Sequence, residues 1–372
     1  MRKIVFMLTL CSLFAGISIS NAQISQNDFN SLKKEISSLN KKIDNMSFQF
    51  DILKKKLEDN LLYEDLSEYA YIDKVRLPGP PKRNQDSTGN AFFDEFLDNP
   101  LIFWSYVFIP RGVDQSKKYP LIVFPHGGIH GTYSNSYNHV IREFLYQGYI
   151  VIAPDYRGST GYGKSFHRAI DYGGSEVEDV LASRDYMVEN YKIVDPDRVC
   201  IFGWSHGGLH ALMGILKYPD KYNCAYAGVP VSDVTFRLSY YDKSYNNLFS
   251  AKYHVGETPS ENPEEYARRS PVTYASQLSR PLMITTCQND DDVSVKEVKR
   301  MIDALKTAGK EGNLFTYKIY DSLPGAHLFE RLDSKESTTI RYNAYKFIEK
   351  YMMPEKPFKN YKEMRKAGYF FE

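Results

Sequence analysis

The pentapeptide Gly203-Trp204-Ser205-His206-Gly207 follows an apolar run at 199–202. Glycines at both ends let a strand turn sharply into a helix, which lifts the serine between them off the C-terminal edge of a sheet. A hydroxyl placed there is a candidate nucleophile. It needs a base to take its proton, an acid to orient that base and N–H donors for the oxyanion that forms. G-x-S-x-G alone is weak, because glycine and serine are common in turns. Here the strand before it and the helical stretch at 209–217 supply the context.

His327 is the best-placed base. It lies in the loop Pro324-Gly325-Ala326-His327 after a strand at 314–320, where a turn can swing an imidazole over the serine. His126 and His206 sit in motifs that use their backbone, and His210 lies inside the helix after the serine. His130, His139, His167 and His254 have no matching context. Asn289-Asp290-Asp291-Asp292-Val293, after a strand at 281–286, offers three candidate acids. Two backbone N–H groups suit the oxyanion: that of His206, and that of Gly127 or Gly128 in the Pro125-His126-Gly127-Gly128 turn.

These loops need a scaffold. Apolar runs at 101–109, 121–124, 149–153, 199–202, 224–229, 281–286 and 314–320 predict strands, with helices at 138–147, 176–190, 208–217, 294–308 and 335–352. This alternation predicts a mostly parallel sheet with helices on both faces. Pro and Gly between 77 and 89 predict a loop.

Residues 119–353 resemble the catalytic domain of the prolyl oligopeptidase (S9) family of serine peptidases. The likeness rests on PHGG at 125–128, DYRGSTGYG at 155–163, DPDR at 195–198, GWSHGG at 203–208, ENPEEYARRSP at 261–271, the NDDDV loop and the PGAH loop. It implies an α/β-hydrolase fold and places the acid three residues before Val293, at Asp290. Asp291 and Asp292 would then cap the loop or the N-terminus of the helix beginning near Ser294. The family usually has glycine where Cys287 stands. The implied activity is hydrolysis of peptide bonds through an acyl-enzyme, with a carboxylesterase acting on small or carbohydrate esters as the alternative. A third reading is a non-catalytic coiled-coil scaffold, against which the complete Ser, Asp and His set weighs. Many family members carry a β-propeller that selects short peptides; the segment before 119 is too short and too helical for one, so that preference does not transfer.

Arg157 is either a substrate clamp or, the preferred reading, a structural residue pinning its loop through carboxylates. Tyr240, Tyr241, Tyr245, Phe249 and Tyr253, in an insertion at 232–272, either cap a substrate pocket or pack a helix pair.

Residues 1–22 have the form of a secretory signal. They run from Arg2-Lys3 through a mostly apolar stretch at 4–19 to Ser20-Asn21-Ala22, which predicts cleavage before Gln23 and a periplasmic or secreted protein. Cys200, Cys224 and Cys287 remain, an odd number that argues against a disulfide framework, although a Cys200–Cys224 bridge is open. A formal net charge of +1 gives no basic footprint for nucleic acid. No metal or nucleotide motif is recognisable, so no cofactor is expected.

Residues 23–62 read as a helical unit, with 63–118 leading into the catalytic domain and 354–372 as a tail. Phe29, Ile36, Ile43, Phe50 and Leu57 occupy heptad a positions, and Leu32, Leu39, Met46 and Leu53 occupy d. Such a seam predicts a parallel coiled coil joining copies of the chain through 29–57; a helix folded back on its own domain is the alternative.

Overall fold

The computed structural model describes residues 26–82, 98–251, 254–312 and 314–368. The signal-like segment 1–22 and Tyr253 lie outside the described residues, as do positions 83–89 of the expected loop. The chain divides into two compact units, Met1–Gln49 and Phe50–Glu372. Helix α1, Gln26–Leu66, is the one element described in the first unit, and its C-terminal turns belong to the second.

The second unit is built on an eight-stranded sheet of order β1-β2-β4-β3-β5-β6-β7-β8 among the described residues. The strands are β1 (Ala70–Pro81), β2 (Pro100–Pro110), β3 (Tyr119–Val123), β4 (Ile150–Asp155), β5 (Val194–Trp204), β6 (Cys224–Gly228), β7 (Leu282–Cys287) and β8 (Phe315–Tyr320). β1 and β2 run antiparallel, as do β2 and β4; the other pairings are parallel. The helices of this unit after α1 are α2 (Asn138–Tyr146), α3 (Lys164–His167), α4 (Ser175–Asn190), α5 (His206–Lys217), α6 (Val234–Tyr240), α7 (Lys243–Ser250), α8 (Pro263–Arg268), α9 (Val295–Thr307), α10 (Lys335–Met352) and α11 (Tyr361–Gly368).

Alternation along the strands divides the core between the two faces. Leu121, Val123, Ile150, Ile152, Val199 and Ile201 pack with Val180, Leu212 and Met301. Ile122, Phe124, Val151, Cys200 and Phe202 pack with Phe144, Tyr345 and Ile348. Strands buried on both faces read as continuous apolar runs, which is why the sequence reading found them. Cys200 and Cys224 are register partners on β5 and β6, and both are free thiols.

Two expectations are corrected. The Pro-rich segment from 77 does not begin a loop: residues 77–81 complete β1, paired with β2 at the sheet edge. Proline is tolerated on an edge strand, where no ladder partner needs its missing N–H. Arg157 fixes this strand by donating to the Pro80 carbonyl at 2.7 Å and the Pro81 carbonyl at 3.1 Å. The second correction concerns the helical unit, expected to end at 62. The division falls at Gln49/Phe50, and α1 runs on to Leu66, with Leu62 and Leu66 buried beside Tyr106 and Phe108. The seam residues remain exposed: Phe50, Leu53 and Leu57 lie on the surface of the catalytic unit, and Phe29 to Met46 lie on the surface of their own helix.

Lys55, on the opposite side of α1 from that seam, is buried. Its Nζ lies 3.0 Å from Asp155 at the end of β4, and it also donates to the Tyr133 carbonyl. The Asp155 carboxylate further accepts from Tyr133 N–H at 2.7 Å and the Tyr162 hydroxyl at 2.5 Å. Removing one member of a buried ion pair strands the other. Lys55→Met is therefore expected to cost about 3–5 kcal/mol of stability. Urea unfolding checks this; a loss below about 1 kcal/mol, typical of an exposed pair, would refute it.

Candidate active site

The chain leaves β5, passes through Ser205 and enters α5 at once. Ser205 has φ 59° and ψ −119°, a strained conformation for a non-glycine residue. Two glycines permit the turn. A Cβ on Gly203 would meet the Gly207 carbonyl oxygen at 2.3 Å, and one on Gly207 would meet the Pro125 carbonyl oxygen at 2.4 Å. The elbow therefore presses against the Pro125–Gly128 turn. Ser205 N–H donates to the Gly228 carbonyl at 2.9 Å, tying the strained residue to the end of β6.

His327 reaches Ser205 from the loop after β8. Gly325 at φ +84° and Ala326 at φ 44° reverse the chain there. His327 Nε2 lies 2.8 Å from Ser205 Oγ, and His327 Nδ1 lies 2.9 Å from both carboxylate oxygens of Asp290. With a proton on Nδ1 donated to Asp290, Nε2 is the acceptor that faces the serine hydroxyl. Asp290 has a fully buried side chain and accepts from the N–H groups of Asp292 at 3.0 Å and Val293 at 2.8 Å. These bonds hold its carboxylate edge-on to the imidazole.

The other two aspartates do not cap the following helix. Ser294, not Asp291 or Asp292, caps α9. Asp291 accepts from the His327 N–H at 3.2 Å. Asp292 pairs with Arg237 at 2.6 Å, and its Oδ2 stands 4.0 Å from His327 Nε2. Burial pushes Asp292 up, but Arg237, Tyr241 and His327 together outweigh it and hold the carboxyl below its ordinary range.

The acid and base loops are also stitched directly. Asn289 Nδ2 donates to the Leu323 carbonyl, and Leu323 N–H donates back to Asn289 Oδ1, both at 2.9 Å. Beneath the elbow, Glu330 accepts from Trp204, Tyr226 and Thr285 and is pushed up by burial. The sequence reading singled out neither residue. Asn289 adjoined the Asp run and could have been noticed; Glu330 carried no signal, because its partners lie on three separate strands.

The expected oxyanion donors are at the site. The His206 N–H begins α5 directly after the serine. Gly127 backs onto it, since a Cβ there would lie 3.5 Å from Ser205 Cβ and 3.1 Å from the Trp204 carbonyl oxygen. Gly128 is turned at φ +75°, and its carbonyl accepts from the Tyr156 hydroxyl at 3.0 Å. Gly127 is thus the nearer of the two.

Arg157 is not at the site. It is fully buried, with Nε and Nη2 each 2.8 Å from an Asp179 oxygen and Nη1 on the Pro81 carbonyl. Its nitrogens are engaged within the fold, which rules out the substrate-clamp reading in favour of the structural one. Tyr241 reaches the acid loop, and Tyr240 reaches the helix that follows it. Tyr240 donates to Glu297 at 2.5 Å, and Tyr241 donates to Asp292. Arg237 gathers both, with Nη1 3.1 Å from the Tyr240 hydroxyl and Nη2 3.1 Å from that of Tyr241.

His126 stacks on Tyr156, and its Nε2 lies 2.9 Å from Ser159 Oγ. Burial pushes its imidazole down to about 4. An unfolded imidazole titrates near 6.5, so between those values the unfolded chain binds a proton that the fold refuses. Stability is therefore full above about pH 6.5 and falls towards pH 4, by about 3 kcal/mol from this residue. Urea unfolding from pH 7.5 to 4.5 should show the decline; a flat profile over that range would contradict it.

A family profile described as the prolyl oligopeptidase family matches residues 135–352. Among curated proteins, the uncharacterized peptidase YuxL of Bacillus subtilis is 30% identical over 210 residues, 56% of this chain and 31% of that protein. Dipeptidyl peptidase 8 of Mus musculus is 29% identical over 242 residues, 62% of this chain and 26% of its own. The chain thus spans about a third or less of the length of these relatives. A solved acylaminoacyl peptidase of Pyrococcus horikoshii superposes with a TM-score of 0.62 at 20% identity, covering 82% of this chain and 45% of its own. That likeness concerns the fold, which is the α/β-hydrolase arrangement expected.

Proposed function

The chain belongs to the prolyl oligopeptidase family of serine peptidases, and we propose from that premise that it hydrolyses peptide bonds through an acyl-enzyme formed on Ser205. The observation that carries this reading is the unbroken contact chain Ser205 Oγ, His327 Nε2, His327 Nδ1, Asp290 carboxylate. His327 takes the hydroxyl proton as Oγ attacks the carbonyl carbon. Asp290 holds the imidazole in the required tautomer and stabilises the imidazolium. The N–H groups of His206 and Gly127 take the oxyanion. His327 then passes its proton to the leaving amine, and a water molecule, activated by the same imidazole, releases the acyl group. Arg237 and the Tyr240–Tyr241 pair beside Asp292 form one wall of the substrate site.

Turnover of peptidyl and aminoacyl anilides, set against short acyl esters, tests the reading. Anilide cleavage that disappears in Ser205→Ala supports a peptidase. Ester cleavage without anilide cleavage refutes it in favour of a carboxylesterase.

Two further parts of the proposal concern the N-terminal region. The segment 1–22 directs export, so the mature chain begins at Gln23; its intact mass checks this. The seam from Phe29 to Leu57 pairs with the same seam of a second copy, since an apolar heptad stripe is stable in water only when covered. Ile36→Lys with Ile43→Lys is expected to reduce the mass in solution to that of one chain. An unchanged mass would refute the pairing.

A further inference from the structure

Three side chains without a part in this chemistry converge behind the nucleophile. His206 and His210 stand one turn apart on α5, and Glu176 lies in the first turn of α4. All three are buried, and one donor atom from each lies within 4.8 Å of the other two. His206 Nε2 is 3.1 Å from Glu176 Oε1, an oxygen that also accepts Gly173 N–H at 2.6 Å. Among the described residues, Glu176 Oε2, His206 Nδ1 and both ring nitrogens of His210 have no hydrogen-bond partner. Buried polar atoms are nearly always partnered, and each orphan costs about 1–3 kcal/mol. One ion could engage the Glu176 carboxylate and one nitrogen of each imidazole, giving the unpartnered His210 ring a partner.

Charge points the same way. Arg269 is held by Asp171 at 2.6 Å and Arg157 by Asp179 at 2.8 Å. Among the described residues the side chain paired with Glu176 is His206. A buried carboxylate so placed must be protonated or meet a cation.

We propose that Glu176, His206 and His210 bind one divalent transition-metal ion, with zinc the best match. Two imidazole nitrogens and a carboxylate oxygen are donors that zinc takes at about 2.0–2.2 Å, and a tetrahedron of that size spaces its donors about 3.3 Å apart. The Glu176–His206 separation of 3.1 Å is already near that spacing, and the other pairs need close by no more than about 1.5 Å. The imidazoles disfavour calcium and magnesium, which prefer oxygen. Three protein donors leave a fourth position for water. The ion would clasp the first turn of α5, which carries the His206 N–H, to the start of α4. It would thereby fix the oxyanion donor without touching substrate.

The test is metal content. The full chain, produced with added zinc and gel-filtered without chelator, is measured by inductively coupled plasma mass spectrometry. About one zinc per chain is expected, with visible d–d absorption when cobalt replaces it. His210→Phe is the informative variant, because the unliganded imidazole has no hydrogen bond to lose. If the cluster binds metal, this variant retains under about a tenth of the wild-type zinc, and added zinc raises the Tm of the wild type alone. If the cluster holds only a proton or a water, the phenyl ring fits as well or better, and neither metal content nor zinc response distinguishes the two chains. That result, or wild-type zinc below about a tenth per chain, overturns the proposal. Should His210→Phe fail to fold, Glu176→Gln under the same measurements decides.

Discussion

Ser205→Ala is expected to reduce turnover roughly a million-fold while leaving the protein folded. The hydroxyl is the one atom that bonds to the acyl carbon, so the remaining machinery has nothing to activate. What survives is the acceleration from binding and the oxyanion donors, on the order of a thousand-fold over water. The fold should not suffer, because among the described residues the Ser205 side chain contributes one hydrogen bond, to His327. The position itself is strained, at φ 59°, and that strain is held by the Ser205 N–H to Gly228 bond and by the close-packed glycines, which alanine leaves intact. A fluorophosphonate probe should label the wild type and not the variant. Labelling at another residue, or turnover reduced less than about tenfold, would remove Ser205 as the nucleophile.

The second large effect separates two neighbouring aspartates. Asp290→Asn is expected to lower kcat by about ten thousand-fold, because an amide in place of the carboxylate favours the tautomer in which Nδ1 accepts and Nε2 carries the proton. An Nε2 that already holds a proton cannot take one from Ser205. Asp292→Asn should act differently. Its Oδ2 stands 4.0 Å from His327 Nε2, too far for a hydrogen bond, and it is already committed to Arg237 and Tyr241. Its loss removes a nearby negative charge and loosens the Arg237 wall, so KM should change more than kcat, each by about tenfold or less. Kinetics of both variants on one anilide decide the matter. Activity retained in Asp290→Asn and abolished in Asp292→Asn would reverse the assignment.

These two aspartates mark how far the sequence could be read. Composition of the loop narrowed the acid to Asp290, Asp291 or Asp292, and family likeness chose the first. The geometry places the Asp290 carboxylate 2.9 Å from His327 Nδ1 and turns the other two to the His327 backbone and to Arg237. Arg157 was legible as a residue pinning its loop through carboxylates, but not through which one; its partner Asp179 lies on α4, 22 residues away, and nothing local announced the pairing. The segment at 77–81 misled because proline and glycine usually break strands, and the sheet edge that tolerates them is a tertiary feature.

The sequence by itself determined the Gly203–Gly207 elbow, the loop that carries His327 and the βα rhythm. Each is encoded locally: glycines where side chains would collide, a positive-φ turn before His327, and apolar runs whose length matches a strand buried on both faces. The tertiary structure alone decided what depends on strand order and helix packing. It brought Lys55 to Asp155 across 100 residues, joined Arg237 to the acid loop and gathered Glu176, His206 and His210 behind Ser205. Such convergences join residues from separate elements. Their meeting is set by the free energy of burying the whole sheet, and no short-range pattern in the chain records it.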